Sequence, residues 1–297
     1  MNCTPDIEVV VDNRNQLGEC PCWHPEEQAL YWVDALRPAL HRMGADGEIA
    51  SWQMPAVIGS FGFRDKGGIV AALQTGFALV ELVDDRGTSF VKRLMDPEPE
   101  RPLNILNDGK CDRRGRFWCG SRDADLAHPT GSLYRLDDSA HVTLMDRGFI
   151  VSNGIAFSPD DRTLYFADSR AESVFAYDFD LDAGAISNRR LFFSTRDIPG
   201  RCDGATVDSE GFYWCALVHG GQIARVDPKG RFDRLIDVPV KHPTMCTFGG
   251  PALDILYVTS AASMVPEAER ASVDHAGAVF ALHGLGVRGL PEPKFAG

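Results

Sequence analysis

The sequence has no apolar run approaching the 18 or so residues of a membrane-spanning helix, so no segment reads as a transmembrane span. Helix-period stretches are scarce throughout. Basic residues are in deficit: 30 Lys and Arg stand against 42 Asp and Glu, a net charge of −12. That balance argues against nucleic acid as a partner, because phosphate contacts need a basic patch. The acidity is spread along the chain and serves solubility. Met1 to Asp12 lacks the basic and apolar regions of a secretion signal, so the expected location is the cytoplasm. No G-x-S-x-G elbow and no phosphate-binding loop occur. Eight cysteines are present, yet none forms a C-x-x-C pair or a Cys/His zinc spacing, which leaves reduced thiols as the expectation. Several, such as Cys119 in RFWCGS and Cys215 in FYWCAL, sit in strand patterns, where a thiol packs as a small apolar group.

What the chain does contain is a repeat. An acidic or Gly-rich turn is followed by a short aromatic or aliphatic run in HPEEQALYWVD, RDKGGIVAAL, CDRRGRFWCGS, SPDDRTLYFADS, VDSEGFYWCAL and GPALDILYVTS. Taking Tyr31, Val70, Trp118, Tyr165, Trp214 and Tyr257 as markers, the spacings are 39, 48, 47, 49 and 43. A period of roughly 40–50 residues with several strands per unit is the pattern of propeller blades. Further strands follow, as in GSLYRLD, SVFAYDFD and QIARVD. The expected fold is therefore all-β: a six-bladed β-propeller with four-stranded blades, occupying residues 1–297 as a single domain. Gly277–Leu282 belongs to blade six, and Ile7–Asp12 supplies the outer strand that closes the ring and removes its free edges. The C-terminal GLPEPKFAG reads as an irregular tail.

Four polar residues share one spacing to these runs. Glu19 lies 12 positions before Tyr31, Asn107 11 before Trp118, Asn153 12 before Tyr165, and Asp203 11 before Trp214. Equivalent positions in a radial array converge on its axis. Two carboxylates and two amide oxygens meeting there suit a hard divalent cation. The corresponding places in the other two blades fall near Gly59 and Cys246, both small, which would leave room for a substrate. Asp178, Asp180 and Asp182 alternate as in a calcium loop, but Ala183 and Arg189 stand where an EF-hand needs Gly and Glu, so the stretch reads as a hairpin turn. His219, in LVHGGQI, is either a turn residue or close to the site.

LGECPCWHPEEQALYWVD, LNDGKCDRRGRFWCGS, SNGIAFSPDDRTLYFADS and CDGATVDSEGFYWCAL together resemble the SMP-30/gluconolactonase/regucalcin family. FGGPALDILYVTSA and AGAVFAL match its last blade, so the resemblance runs from about Leu17 to Leu282. It implies a metal held by Glu19, Asn153 and Asp203, with Asn107 contacting metal region and substrate, and a sugar lactone as substrate. The family's substrate-binding arginine, two residues before that asparagine, is replaced here by Ile105. Arg122, in the following strand, is the candidate replacement, unless it pairs at the surface with Asp123 or Asp125.

The expected activity is metal-dependent hydrolysis of an aldonolactone to the aldonic acid, the metal polarising the carbonyl and Asp203 acting as base. The competing readings are a calcium-binding regulator, and an esterase or phosphotriesterase on the same site. The cofactor is one divalent ion (Ca, Zn, Mn, Mg or Fe). Oxygen-only ligands favour Ca, Mg or Mn, calcium ahead, because Zn and Fe more often recruit His or Cys. The partner is a small-molecule lactone, with no nucleic acid and no membrane. Oligomeric state is left open.

Overall fold

Strands alternating apolar and polar on a short period form six four-stranded antiparallel sheets in a computed structural model that describes residues 5–85, 87, 89–270 and 272–297. Blades one to five each use four consecutive strands. Blade six takes Pro243–Gly249, Ile255–Ser260 and Val279–His283 from the end of the chain and Asp6–Val11 from its start. The ring is therefore closed as expected, Ile7 pairing with Leu282 and Val9 with Phe280. Cys3 lies outside the described residues; the other seven cysteines are free and buried.

The innermost strands are Gly18–His24, Ile58–Phe63, Asn104–Cys111, Ser152–Phe157, Arg201–Val207 and Pro243–Gly249. They are covered on both faces, and Ser152–Phe157 is buried throughout. The outermost strands face water: most of Ala185–Ser194 is exposed. Apolar side chains of neighbouring blades interdigitate, as where Tyr165 and Ala167 of blade four meet Tyr213 and Cys215 of blade five. Buried aspartates tie the turns between the strands. Asp112 and Asp208 each accept an indole N–H, from Trp118 and Trp214, both at 2.8 Å. The Asp178–Asp182 stretch is the hairpin turn its sequence suggested: Asp178 pairs with Asn188 and Arg190, and Asp180 accepts the amide of Ala183.

Every inner strand breaks register against its neighbour near the same end. The breaks fall between Glu19 and Cys22, Ile58 and Ser60, Leu106 and Gly109, Asn153 and Ala156, Cys202 and Ala205, and Pro243 and Cys246. A β-bulge bends its strand and re-aims the side chains on it. Six bulges at one height give the channel a distinct upper end.

The opposite end is closed by the C-terminal residues, which are not a loose tail. Ser209 and Gly289 tie the segment to blades five and six through Ser209 N to Arg288 O and Gly289 N to Leu253 O, each 2.8 Å. It then crosses the channel floor. Glu292 meets Lys110 at 2.7 Å, Phe295 N bonds Phe63 O at 2.6 Å, and Ala296 N bonds Gly115 O at 3.0 Å. Pro and Gly prevent a strand here, but side chains fix the segment all the same. Phe295 is 1% exposed and packs with Val70, Phe77 and Phe117. Truncating a fully buried Phe removes its transfer energy and leaves a cavity, so Phe295→Ala is expected to cost about 3–5 kcal/mol. Urea unfolding would measure this, and a loss below about 1 kcal/mol would mean that the tail is not packed in solution.

Candidate active site

The upper channel end gathers Glu19, Asn107, Asn153, Asp203 and Arg122. In blades one and four the approach to the inner strand is fixed by a buried aspartate from the second strand. Asp34 accepts the amides of Gln16 at 2.8 Å and Leu17 at 3.1 Å, and Asp168 those of Ile150 at 2.9 Å and Val151 at 3.2 Å. Glu19 and Asn153 follow these anchored segments and immediately precede their bulges. The next residue in each case, Cys20 at φ 47° or Gly154 at φ 60°, takes the left-handed conformation of a tight bulge. At Gly154 a Cβ would lie 2.3 Å from the Tyr213 hydroxyl, so the residue must be glycine.

Asn107 and Asp203 stand one place later, inside their bulges. The shared spacing of 11 or 12 residues thus conceals two registers. Tyr31 and Tyr165 are the first paired partners beyond the bulge in their blades, whereas in blades three and five those partners are Cys119 and Cys215, next to Trp118 and Trp214. Cys246 is likewise not an equivalent of the four, because the bulge of blade six holds Thr244 and Met245. Gly59 is small for a different reason from the one expected: its Cβ would lie 2.4 Å from Leu106 O, so it lets two inner strands approach rather than making room for a ligand.

Asn153 is oriented from behind. Its Nδ2 donates to Ser169 Oγ at 2.9 Å, and Ser169 donates in turn to Cys202 O at 2.6 Å. This turns Oδ1 toward Asn107, whose Nδ2 reaches it at 2.8 Å while also reaching Ser152 O at 2.9 Å. Arg122 Nε donates to Asn107 Oδ1 at 3.1 Å. Arg122 is directly opposite Ile105 in the strand pairing, so the two side chains share a face. It makes no ion pair with Asp123 or Asp125 among the described residues; the Asp123 carboxylate is occupied by the amides of Ala127 and His128.

Glu19 and Asp203 carry the site's electrostatics. Burial, then the repulsion of Asp203 and Asp108, raises the Glu19 pKa well above the usual carboxylate range. Burial and Asp108 do the same for Asp203, with Arg122 opposing in both cases. Neither carboxylate is held in an ion pair among the described residues. Asp108, which sequence reasoning passed over, lies beside them. It is 5% exposed, accepts the Ile155 amide at 2.9 Å through Oδ2, and leaves Oδ1 buried without a partner. Burial pushes its pKa up to about 6. The available signal was an acid directly after Asn107 in an inner strand.

This surplus of buried negative charge suits a hard cation. Glu19 and Asp203 offer carboxylate oxygens and Asn153 an amide oxygen, an all-oxygen set. Among the described residues no three His, Cys, Asp or Glu side chains are grouped so that they could hold an ion. The thiol of Cys20 is held by the backbone of Phe61 and made harder to ionise by burial, which leaves it a packing group. His219 lies at the same channel end as Asp203, because Val218 pairs with Arg201, and its Nδ1 sits 3.1 Å from that of His242.

Six four-stranded blades thus bring carboxylates and amides to one channel mouth. Residues 17–262 match the family described as the SMP-30/Gluconolactonase/LRE-like region, and the chain belongs to that family. It is 37% identical over 292 residues to a 6-deoxy-6-sulfogluconolactonase of Pseudomonas putida, covering 98% of this chain and 99% of the other. It is 37% identical over 290 residues to a pentonolactonase of Haloferax volcanii, covering 95% and 96%. The structure of a calcium-binding protein, regucalcin, from Agrobacterium tumefaciens superposes with a TM-score of 0.90 at 26% identity, covering 99% of this chain and 97% of that one.

The raised proton affinities have a consequence for stability. A carboxyl that holds its proton more tightly in the fold than in the unfolded chain makes the fold less stable as pH rises from about 4, its unfolded value, through its raised value. The cation-free protein should therefore lose stability over that range, and Asp203→Asn should remove part of the slope and raise Tm at pH 8 in chelator. Thermal unfolding across pH checks this; a lower Tm for Asp203→Asn at pH 8 would contradict it.

Proposed function

We propose that this protein hydrolyses a sugar lactone to the corresponding aldonic acid at the upper channel end, in dependence on a divalent ion held by Glu19, Asn153 and Asp203. The observation that carries the reading is the pair of unpaired carboxylates, half-buried Glu19 and buried Asp203, beside a pre-oriented Asn153 oxygen. The named activities of the two lactonase relatives supply the substrate class. Such an ion, when bound, polarises the lactone carbonyl and offsets the carboxylate charge.

The remaining work falls to the chain's own groups. Asp203 accepts the proton of the attacking water. The new C–O bond forms at the carbonyl carbon, the ring C–O bond breaks, and the leaving ring oxygen takes up the proton. Asn107 is held between Ser152 O and Arg122 Nε, so it presents a fixed amide to the sugar. The Arg122 guanidinium remains charged, and its outer N–H groups are placed to bind a hydroxyl or ring oxygen. The Lys110–Glu292 pair and the tail close the channel below, which confines substrate and water to the mouth.

Glu19→Gln, Asn153→Ala and Asp203→Ala are each expected to weaken ion binding at least tenfold and to abolish turnover while far-UV dichroism is retained. Exhaustive chelation should do the same, because the blades bury their cores without an ion. Calorimetry showing unchanged ion affinity in all three variants, or full activity after chelation, would sink the assignment.

The pairing of Arg122 with Ile105 yields a separate expectation. Loss of a group bonded to a buried hydroxyl costs about 1–3 kcal/mol, so Arg122→Ala should lower kcat/KM for aldonolactones roughly tenfold or more. Ile105→Arg places two guanidinium groups on one face and should reorder the preference among lactones. Unaltered kinetics in Arg122→Ala would remove that residue from the site.

A further inference from the structure

The channel mouth is not uniform in charge. Over blades four to six its rim is basic, in a protein whose net charge is −12. Arg170 follows Ser169, the residue that orients Asn153, and its side chain is exposed and forms no ion pair among the described residues. Arg201 opens the inner strand of blade five, two residues before Asp203. Lys241 and His242 lead into the inner strand of blade six and are tied to the His219 loop by Gly221 N to Lys241 O at 3.2 Å. These groups come from three blades, but the fold delivers them to one side of one opening.

Two further features mark this rim as built to receive something negative. The Arg201 Nε is buried and lacks a hydrogen-bond acceptor. Its nearest carboxylate, Glu172, stands 3.8 Å off and is shared with Arg196 at 3.9 Å, too far for either to be satisfied. His219 and His242 meet Nδ1 to Nδ1 at 3.1 Å with their rings edge to face, an arrangement in which one Nδ1 donates to the other. The accepting imidazole then carries its hydrogen on Nε2, directed away from the pair. Burial and the neighbouring Arg201, Arg170 and Lys241 hold His219 below its usual pKa, and burial with His219 and Lys241 lowers His242 to about 4. Burial is the larger cause for both rings, and the cations add to it; their field is one that an anion would relieve.

We propose that Arg170, Arg201, Lys241 and the His219–His242 pair form an anion subsite, so that the preferred substrate is a lactone carrying a sulfonate, phosphate or carboxylate away from its ring carbonyl. The inference rests on the lactonase reading for its substrate but not for its anion. The carbonyl end lies with Glu19, Asn153 and Asp203, and the anionic end reaches the rim of blades five and six. The charge gradient from the rim to the acidic centre orients such a substrate on entering, charged group outward and ring inward.

The test compares kcat/KM for a neutral hexonolactone with that for the same lactone bearing a 6-sulfonate, a 6-phosphate or a terminal carboxylate. At least one anionic form should be preferred tenfold or more at low ionic strength, with the preference shrinking as salt is added. Which form it is distinguishes the three anions. The double variant Arg170→Gln/Lys241→Gln alters exposed residues and should fold; it should cut the anionic-to-neutral ratio at least fivefold. In parallel, inorganic sulfate is titrated while the His219 and His242 imidazole resonances are followed. A saturable shift that weakens about tenfold in the double variant is expected. Preference for the neutral lactone over every anionic form, or an unchanged ratio in the double variant, overturns the proposal. If no lactone is turned over, the lactonase reading fails, and sulfate alone decides: saturable binding at the two histidines keeps the subsite, and no shift removes it.

Discussion

The bulge at the upper end of each inner strand is the constraint on which the site depends. A regular strand at the centre of a blade sends its side chains alternately into the two neighbouring blades, where only apolar packing is stable. A strand with an extra residue breaks that alternation and can aim a polar side chain along the channel. Blades one and four achieve this with a left-handed residue after Glu19 and Asn153, Cys20 and Gly154. Blades three and five place Asn107 and Asp203 inside the bulge itself. Two local solutions thus deliver oxygen atoms to the same end of the channel. The buried aspartates Asp34 and Asp168 hold the approach segments of the first pair so that the bulges do not slide.

The blade count, the ring closure and the gathering of Glu19, Asn107, Asn153 and Asp203 were legible in the sequence, because each rests on a periodic signal. Turn residues and aromatic runs repeat, and a repeat fixes relative position without detailed geometry. What was illegible depended on single-residue shifts. Turns one residue longer in blades three and five compensate for Asn107 and Asp203 standing one place later, so spacing alone made the four appear equivalent. The same blindness placed Cys246 among the equivalents and read Gly59 as empty space. The tail is irregular as expected, but its anchoring was illegible for another reason. GLPEPKFAG carries neither strand nor helix periodicity, and periodicity says nothing about a segment held by a buried phenylalanine, ion pairs and scattered backbone hydrogen bonds.

Glu19, Asp203 and Asp108 repel one another in a setting that penalises ionisation, and none has an ion-pair partner among the described residues. Nothing in folding requires that arrangement. Packing would be served as well by amides or apolar groups of similar volume, as it is elsewhere along the inner strands. Local inconsistency of this kind, retained against stability, is characteristic of functional sites. It also explains why the polar support is so complete where it exists. Asn153 has both ends of its amide engaged, and Asn107 is fixed by three partners.

Arg122 shows how such a site can change ligand without changing frame. The resemblance places a guanidinium two residues before Asn107, on the inner strand; here that position is Ile105, and the guanidinium comes from the residue paired with it on the next strand. Cross-strand partners project from the same face, so the charge stays on that face while its point of origin moves outward by one strand spacing, about 5 Å. The apolar Ile105 stem then occupies the ground the charged head would have covered. A ligand group bonded to Arg122 must approach from nearer the rim, and the groups closest to the inner strand meet a hydrocarbon surface. The basic rim of blades four to six lies at the same height across the opening. Both features shift the cationic character of the mouth outward from the oxygen donors. That separation favours a ligand whose polar recognition elements lie at its periphery and whose reacting carbonyl reaches alone to the centre.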